Sequence, residues 1–455
     1  MKVQLIHPPA DIEYTRESKE IFSLRSAPPG LELIAKSISQ FYPKAEIEII
    51  DGNLISLEEI LERIDGDFVG VSDWYSKHNN CIDILRVAKA RGAVTVIGGP
   101  NVTHLGKRIL KNHNFIDYVV VGDGEEAMAM LVIGQELSHI PNLVFRFGSE
   151  IITTTKRNSS LNLIFDLIHL SGESIQVYTK KIGQNTAPFP LSMIRGCAKA
   201  TTAGRCSFCS IEHSLAFMAP EIAWKQIRLL NEKYGINYFF ETGDSFFALD
   251  YPKRLLNARP NDLRHIKIRI YIGPREITKE TVQLMVKLNI VEVFLGVETI
   301  SDELLIGVKK NYTKKDINKA LTLLSQNKIN VQIPFMYGLP RETIATMDQN
   351  FAYAKEVVNN FPNIRVLSGP PIPLVGTELF ENLRNHPRVK EEYNEGGKRD
   401  MDNDDSFDYT LLVKLQTKYF CEFNVTFEKV MEYSLKTQVL VKSGRAGGFS
   451  LPVSE

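Results

Sequence analysis

Leu191-Ser192-Met193-Ile194-Arg195-Gly196-Cys197 runs from an apolar stretch straight into a cysteine, and Cys206-Ser207-Phe208-Cys209 follows with eight residues between Cys197 and Cys206. The apolar run predicts a strand over 191–195, and the glycine and polar residues behind it predict a loop at the carboxyl end of that strand. Outward from this point the pattern repeats. Residues 238–241, 266–271, 291–295, 331–334 and 365–367 read as further strands. Stretches of helical spacing lie between them, at 222–233, 279–287, 315–326 and 347–358. Six strands of this kind predict an incomplete βα barrel over 188–378, a TIM-like arrangement whose chemistry sits at the strand carboxyl ends.

Upstream, residues 1–147 alternate in the same way. Strands are predicted at 3–6, 47–50, 68–71, 94–97 and 118–121, and helices at 31–40, 57–64, 82–90, 106–112 and 125–131. This is the pattern of an α/β, doubly wound, Rossmann-like domain, in which ligands sit beyond the carboxyl ends of the strands. Pro28-Pro29-Gly30, Asp51-Gly52-Asn53, Gly98-Gly99-Pro100 and Gly122-Asp123-Gly124 fall at those ends, and each also suits an ordinary turn. Residues 148–187 are polar and read as a linker carrying at most a hairpin. Residues 379–455 read as a charged, helical C-terminal region with an acidic stretch at 400–408.

The 455 residues carry 54 basic and 54 acidic side chains and no net charge. No overall field therefore draws the chain to nucleic acid or to an anionic membrane, and small molecules or peptides are the expected partners. No apolar run approaches the roughly 18 residues that span a bilayer, and the apolar start is too short for a signal peptide. The expected location is the cytoplasm.

Five cysteines in so long a chain do not make a disulfide scaffold. Cys81 and Cys421 stand alone, whereas Cys197, Cys206 and Cys209 share one predicted loop. A cubane cluster needs thiolate ligands, and three of them leave one iron open. Two other readings stand beside it: three buried small hydrophobes, for which a glycine-containing polar loop is a poor place, and a zinc site in which His213 joins the cysteines as Cys3His.

Together with the segments downstream, this loop resembles the radical S-adenosylmethionine (SAM) superfamily, and within it the cobalamin-binding-domain branch that includes class B methyltransferases. The resemblance covers about residues 1–378. In the family the loop is Cys-x3-Cys-x-aromatic-Cys, and Phe208 stands at the aromatic position, which contacts the SAM adenine. Phe240-Glu241-Thr242-Gly243-Asp244-Ser245-Phe246 is similar to the motif that binds the SAM methionyl group, with Gly243 and Asp244 at its centre. Gly296-Val297-Glu298-Thr299 resembles the ribose-binding motif, and the segment from Ile333 to Gly338, leading into Leu339-Pro340-Arg341-Glu342-Thr343, resembles a family turn that borders SAM. Pro371 to Thr377 resembles the segment that closes the barrel. One departure is plain: the family has three residues between the first two cysteines. Either the loop is extended or the site is degenerate, and the intact Arg195-Gly196 and Ser207-Phe208 favour an extension. Lys199 and Arg205 on it would then be solvated charges or would meet an anionic substrate.

The resemblance extends to Ile6-His7-Pro8-Pro9, to Ala27-Pro28-Pro29-Gly30-Leu31 and to residues 94–103, which are similar to the branch's cobalamin domain. No Asp-x-His-x-x-Gly occurs in the chain, so the implied cobalamin takes no histidine from it. Trp74 and Tyr75, in the loop after the third strand, are the candidates to cover the lower face of the corrin, with Gly98, Gly99 and Gly122 beside it; Trp74 in ordinary domain packing is the other reading. The implied cofactors are a four-iron four-sulfur cluster on Cys197, Cys206 and Cys209, SAM, and cobalamin. The implied reaction is reductive cleavage of SAM to a deoxyadenosyl radical and methylation of a carbon, fed by an electron donor such as flavodoxin or ferredoxin. Radical cyclisation or rearrangement is the alternative within the branch, and a non-catalytic iron-sulfur or zinc protein the alternative outside it. No catalytic side chain is assigned.

Overall fold

Strands buried on both faces are written as continuous apolar runs, and each such run of the first domain forms one. They are β1 (Lys2–His7), β2 (Glu46–Asp51), β3 (Phe68–Ser72), β4 (Val94–Gly98) and β5 (Tyr118–Val120). In the computed structural model, which describes residues 1–10, 28–170, 178, 188–211 and 215–440, they pair in parallel in the order β2-β1-β3-β4-β5. The helices between them begin where local chemistry dictates. Pro29 opens Pro29–Phe41 at a position where the missing N–H costs nothing, and a reciprocal Ser56 and Glu59 capping box opens Leu57–Arg63. Two antiparallel strands, β6 (Leu143–Phe147) and β7 (Glu150–Thr153), extend the sheet beyond β5. The stretch read as a linker thus opens with the second arm of a hairpin. Strand order reverses between β1 and β3, the topological switch point at which such sheets bind ligands.

The second sheet is built from β8 (Phe189–Leu191), β11 (Tyr238–Glu241), β12 (Lys267–Ile272), β13 (Ile290–Leu295), β14 (Asn330–Met336) and β15 (Ile364–Gly369), in the order β15-β14-β13-β12-β11-β8. The pairings from β11 to β15 are parallel, the expected partial barrel. Capping boxes at Thr278 and Thr343 start two of the connecting helices, Lys279–Leu288 and Ile344–Asn360. The predicted first strand, 191–195, is in fact split. β8 ends at Leu191, and β9 (Ile194–Arg195) pairs antiparallel with β10 (Ala216–Phe217). The cause lies far away in sequence: the Glu241 carboxylate accepts the backbone N–H groups of Met193 at 2.8 Å and Ile194 at 3.2 Å, in place of sheet partners.

The chain divides into two compact units, Met1–Pro190 with Ile222–Ile236 and Asn403–Ser406, and Leu191–Glu221 with Asn237–Asp402 and the chain from Phe407 onward. Within the first, the Gln226 amide bonds both the N–H and the C=O of Phe165, and Asp405 bonds His113 at 2.7 Å. The acidic stretch thus serves structure: Asp408 also caps helix Tyr409–Phe420. In the second unit, helix Phe427–Val439 lies along β15, with Ser368 Oγ donating to the Ser434 carbonyl at 2.6 Å. No helix among the described residues is long and apolar enough to cross a membrane.

Candidate active site

Cys197 comes just after β9, in the loop that follows β8, the barrel's first strand. The residues that lengthen the cysteine loop fold into a short helix, Ala198–Ala203, which ends at Gly204 with φ +83°. Ser245 Oγ accepts the Ala198 N–H at 2.8 Å, which anchors the start of this extension to the loop after β11. Lys199 and Arg205 do not stand free: Lys199 donates to the Gly204 carbonyl, and Arg205 to the carbonyls of Ile211 and Gly376. A tight turn, Cys209 N–H to Cys206 C=O at 3.0 Å, closes the loop, and it is held on both sides by the Ser207 N–H to Val308 and the Leu379 N–H to Ser207.

All three thiols are unpaired and half-buried. Burial, and then the negative charge of Cys206, Asp244 and Cys197, push the Cys209 thiol up to about 11. A thiol raised in this way needs a positive centre to deprotonate, which a metal site supplies. Among the described residues, no three His, Cys, Asp or Glu side chains converge as ligands of a single metal ion. Three free thiols on one loop are the donor set a cubane cluster takes, with one iron left open. His213, the fourth ligand of the zinc reading, lies outside the described residues.

Around the loop, the structure joins two residues that the sequence places far apart. Phe208 packs on Leu304, Val308 and Leu339, and the Lys310 ammonium stands 5.3 Å from the centre of its ring. The same ammonium lies 2.9 Å from Glu298 Oε1. Burial pulls Lys310 down, but Glu298, Tyr312 and Cys206 outweigh it and hold the ammonium charged. Glu298 adopts φ +62° and is bridged to β14 through its N–H to Pro334 and its C=O from Met336. Lys310 is the residue that reading the sequence missed; a lysine in a polar loop ordinarily reads as solvated.

Asp244 keeps solvent exposure while protein atoms crowd it, as in a recess, and that desolvation pushes its carboxyl up to about 6. The chain beneath it admits only glycine at 243: a Cβ there would stand 2.5 Å from the Ile194 carbonyl oxygen and 2.7 Å from Glu241 Oε1. Glu241 is fully buried and accepts a third N–H, from Gly243 at 2.8 Å, and burial pushes it up to about 8. Two other expected SAM contacts are placed differently. Ile333 is 0% exposed, and its side chain lies on the covered face of β14, opposite Gln332 and Pro334, so that side chain does not open toward the site. The Gly338 N–H goes to Glu342 and its C=O to Gln416, so both of its peptide groups are engaged.

In the first unit, Trp74 is 46% exposed just past the end of β3, and Tyr75 follows it. Gly98 ends β4. Gly99, at φ +114°, has its own reason to be glycine: an added Cβ would stand 2.5 Å from the Asp73 carbonyl oxygen. Gly122 lies after β5, where an added Cβ would come no nearer than 3.8 Å to Asn142. Past the carboxyl ends of β3, β4 and β5 the chain thus presents glycines and one exposed indole, a lining that suits a flat macrocycle.

The B12 binding domain family matches residues 24–132 and the radical SAM superfamily matches residues 191–354. An uncharacterized methyltransferase of Pyrococcus horikoshii is 23% identical over 404 residues, covering 84% of this chain and 83% of its own length. An anaerobic magnesium-protoporphyrin IX monomethyl ester cyclase of Cereibacter sphaeroides is 23% identical over 329 residues, which is 65% of this chain and 49% of that one, so the chain spans about half of the cyclase. Among solved structures, the radical SAM methyltransferase TsrM of Kitasatospora setae superposes with a TM-score of 0.63 at 17% identity, over 85% of this chain and 77% of that one. The cobalamin-dependent SAM radical enzyme OxsB, with aqua-cobalamin bound, superposes with a TM-score of 0.65 at 16% identity, over 88% and 63%. These superpositions show a shared fold. The two family matches bear out SAM, a four-iron cluster and cobalamin as the cofactors of this enzyme. With a B12 binding domain ahead of the barrel that carries the cysteine loop, the chain belongs to the radical SAM superfamily.

Proposed function

We propose that this enzyme methylates a carbon atom of a small molecule or peptide, using SAM and cobalamin. The observation that carries the reading is a single chain with a three-cysteine loop and the recess around Asp244 at the carboxyl ends of its barrel, behind a B12 binding domain. Cys197, Cys206 and Cys209 would hold the cluster. Phe208, Gly243, Asp244 and the Glu298–Lys310 pair would hold SAM, and Trp74, Tyr75, Gly98, Gly99 and Gly122 would border the corrin. When bound, these groups supply the radical chemistry and the methyl group. The chain's own residues position and discriminate. Asp244, raised to about 6, is ionised at neutral pH and offers a carboxylate to the SAM amino group. Lys310 fixes Glu298 and neutralises its charge, and Ser245 and Glu241 tie the cysteine loop to the second strand. The electron comes from a donor of the flavodoxin or ferredoxin type.

The test is anaerobic. The reconstituted full chain is incubated with cobalamin, a low-potential reductant and SAM labelled with a trideuteromethyl group. Label in the corrinoid fraction is expected. Cleavage of SAM to deoxyadenosine with no label in the corrinoid would replace methylation by radical cyclisation, the reading that the likeness to the cyclase favours. Neither product would refute both.

A further inference from the structure

Glu298 stands in a turn that glutamate rarely adopts. The Thr299 N–H donates back to the Val297 carbonyl at 2.7 Å, which closes a tight turn around Glu298 at φ +62°. A turn of this hand is the rare, strained form, and a side chain stays in it only where the surroundings over-determine it. Up to Glu298 the holds are short-range. Its N–H goes to Pro334 and its C=O takes the Met336 N–H, which pins the peptide to β14, and the Tyr312 hydroxyl donates to the Gly296 carbonyl. The side chain folds back over Gly296: a Cβ added there would stand 3.0 Å from Glu298 Oε1 and 3.5 Å from Lys310 Nζ.

Beyond Glu298 the hold comes from a helix. Asn350, on helix Ile344–Asn360, is 0% exposed. Its Oδ1 accepts two bonds, from the Ile300 N–H at 2.9 Å and from the Thr299 hydroxyl at 3.1 Å. A backbone N–H can only donate, so the amide atom that faces it is the oxygen. The Thr299 hydroxyl in turn accepts the Ser301 N–H at 3.2 Å, and Ser301 caps the next helix, Asp302–Gly307. One amide oxygen thus fixes both residues that follow Glu298 and, through Thr299, the start of the helix that leads to Lys310. Packing does not account for an asparagine here. Its Nδ2 is buried without a hydrogen-bond partner among the described residues, which costs stability, and a leucine would fill a similar volume without that penalty. What the asparagine contributes is the accepting oxygen, and the turn that carries Glu298 is what uses it.

We propose that Asn350 is the positioning residue of Glu298: its amide oxygen holds Thr299 and Ile300 so that the turn at Glu298 stays closed and the carboxylate stays on Lys310, and through that carboxylate it sets the affinity for SAM. The consequence for SAM rests on the radical SAM reading; the hold on the Glu298–Lys310 pair does not.

The pair is read without any cofactor. Coupling between Glu298 and Lys310 is measured by a double-mutant cycle, Glu298→Gln with Lys310→Met, from equilibrium denaturation of the full chain, with Asn350 and again with Asn350→Leu. The coupling is expected to fall to roughly half or less in the leucine background and to be retained with Asn350→Asp, which keeps an accepting oxygen. A merely structural asparagine would lower the stability of every member of the cycle alike and leave the coupling as it was. Should members of the leucine cycle not fold, Thr299→Val, which removes the hydroxyl between Asn350 and Ser301, is expected to lower the coupling in part. SAM binding to the anaerobically reconstituted protein is the second readout. A lost charge-assisted bond is worth roughly 10- to 150-fold in affinity. Asn350→Leu is expected to weaken SAM by about tenfold or more where Glu298 is present, and by less than about twofold in the Glu298→Gln background. Coupling unchanged in both Asn350→Leu and Thr299→Val, or a loss of SAM affinity that is the same with and without Glu298, would overturn the proposal. Failure of SAM to bind the wild type, with the loss of coupling intact, would sink the radical SAM reading and leave the hold of Asn350 on Glu298 standing.

Discussion

Replacing Glu241 by Gln tests the clamp beneath the cysteine loop. The carboxylate is fully buried, accepts the N–H groups of Met193, Ile194 and Gly243, and is pushed by burial from the ordinary 4.5 up to about 8. Between these values the folded protein keeps a proton that the unfolded chain releases. Its contribution is therefore present in full below about 4.5 and lost as pH rises through about 8. The loss across the window is on the order of 5 kcal/mol. Gln does not titrate, and its amide nitrogen cannot accept, so at least one of the three donors loses its partner at a cost of ~1–3 kcal/mol. Denaturation of wild type and Glu241→Gln, followed by circular dichroism, isolates this group as a difference. At pH 6 the variant should be the less stable, and the gap should shrink steadily toward pH 8.5. A gap that is constant, or that widens with pH, would refute the argument.

Three further outcomes follow from the same structure. Lys310→Met leaves Glu298 buried without its partner and should cost ~3–5 kcal/mol; adding Glu298→Gln should recover a large part of it, whereas simple additivity in the double-mutant cycle would show that the pair is not coupled. Gly99→Ala forces a Cβ against Asp73 in a left-handed backbone and should cost ~1–3 kcal/mol or more in a thermal melt; an unchanged melting temperature contradicts the contact. Trp74→Ala removes an exposed side chain and should alter stability by less than about 0.5 kcal/mol, while changing the visible spectrum of bound cobalamin, which is expected to be base-off with no protein nitrogen on cobalt; an identical spectrum would remove Trp74 from the corrin face.

Much of the scaffold was legible because buried parallel strands are continuous apolar runs. The five strands of the first domain and five of the barrel stand within a few residues of their predicted places. The exception, 191–195, breaks under the pull of Glu241, a carboxylate supplied by another strand that no local pattern announces. The cysteine loop was legible from its chemistry. Its helical extension was not predicted, although Ala198, Ala200 and Ala203 carry a helical preference. Lys310 was invisible because its role depends on two partners, Phe208 and Glu298, brought together only by the fold. The face Ile333 shows was not legible, because a motif places a residue on a strand without saying which way it points; register and burial put its side chain on the covered face of β14.

The most direct test of the central claim is a paramagnetic resonance measurement on the anaerobically reconstituted, reduced full chain, with and without SAM, beside Cys197→Ala. The account predicts about four irons per chain, a cluster signal that SAM shifts, and loss of both in the cysteine variant. A full cluster in Cys197→Ala, or a wild-type signal that SAM leaves unchanged, would contradict it.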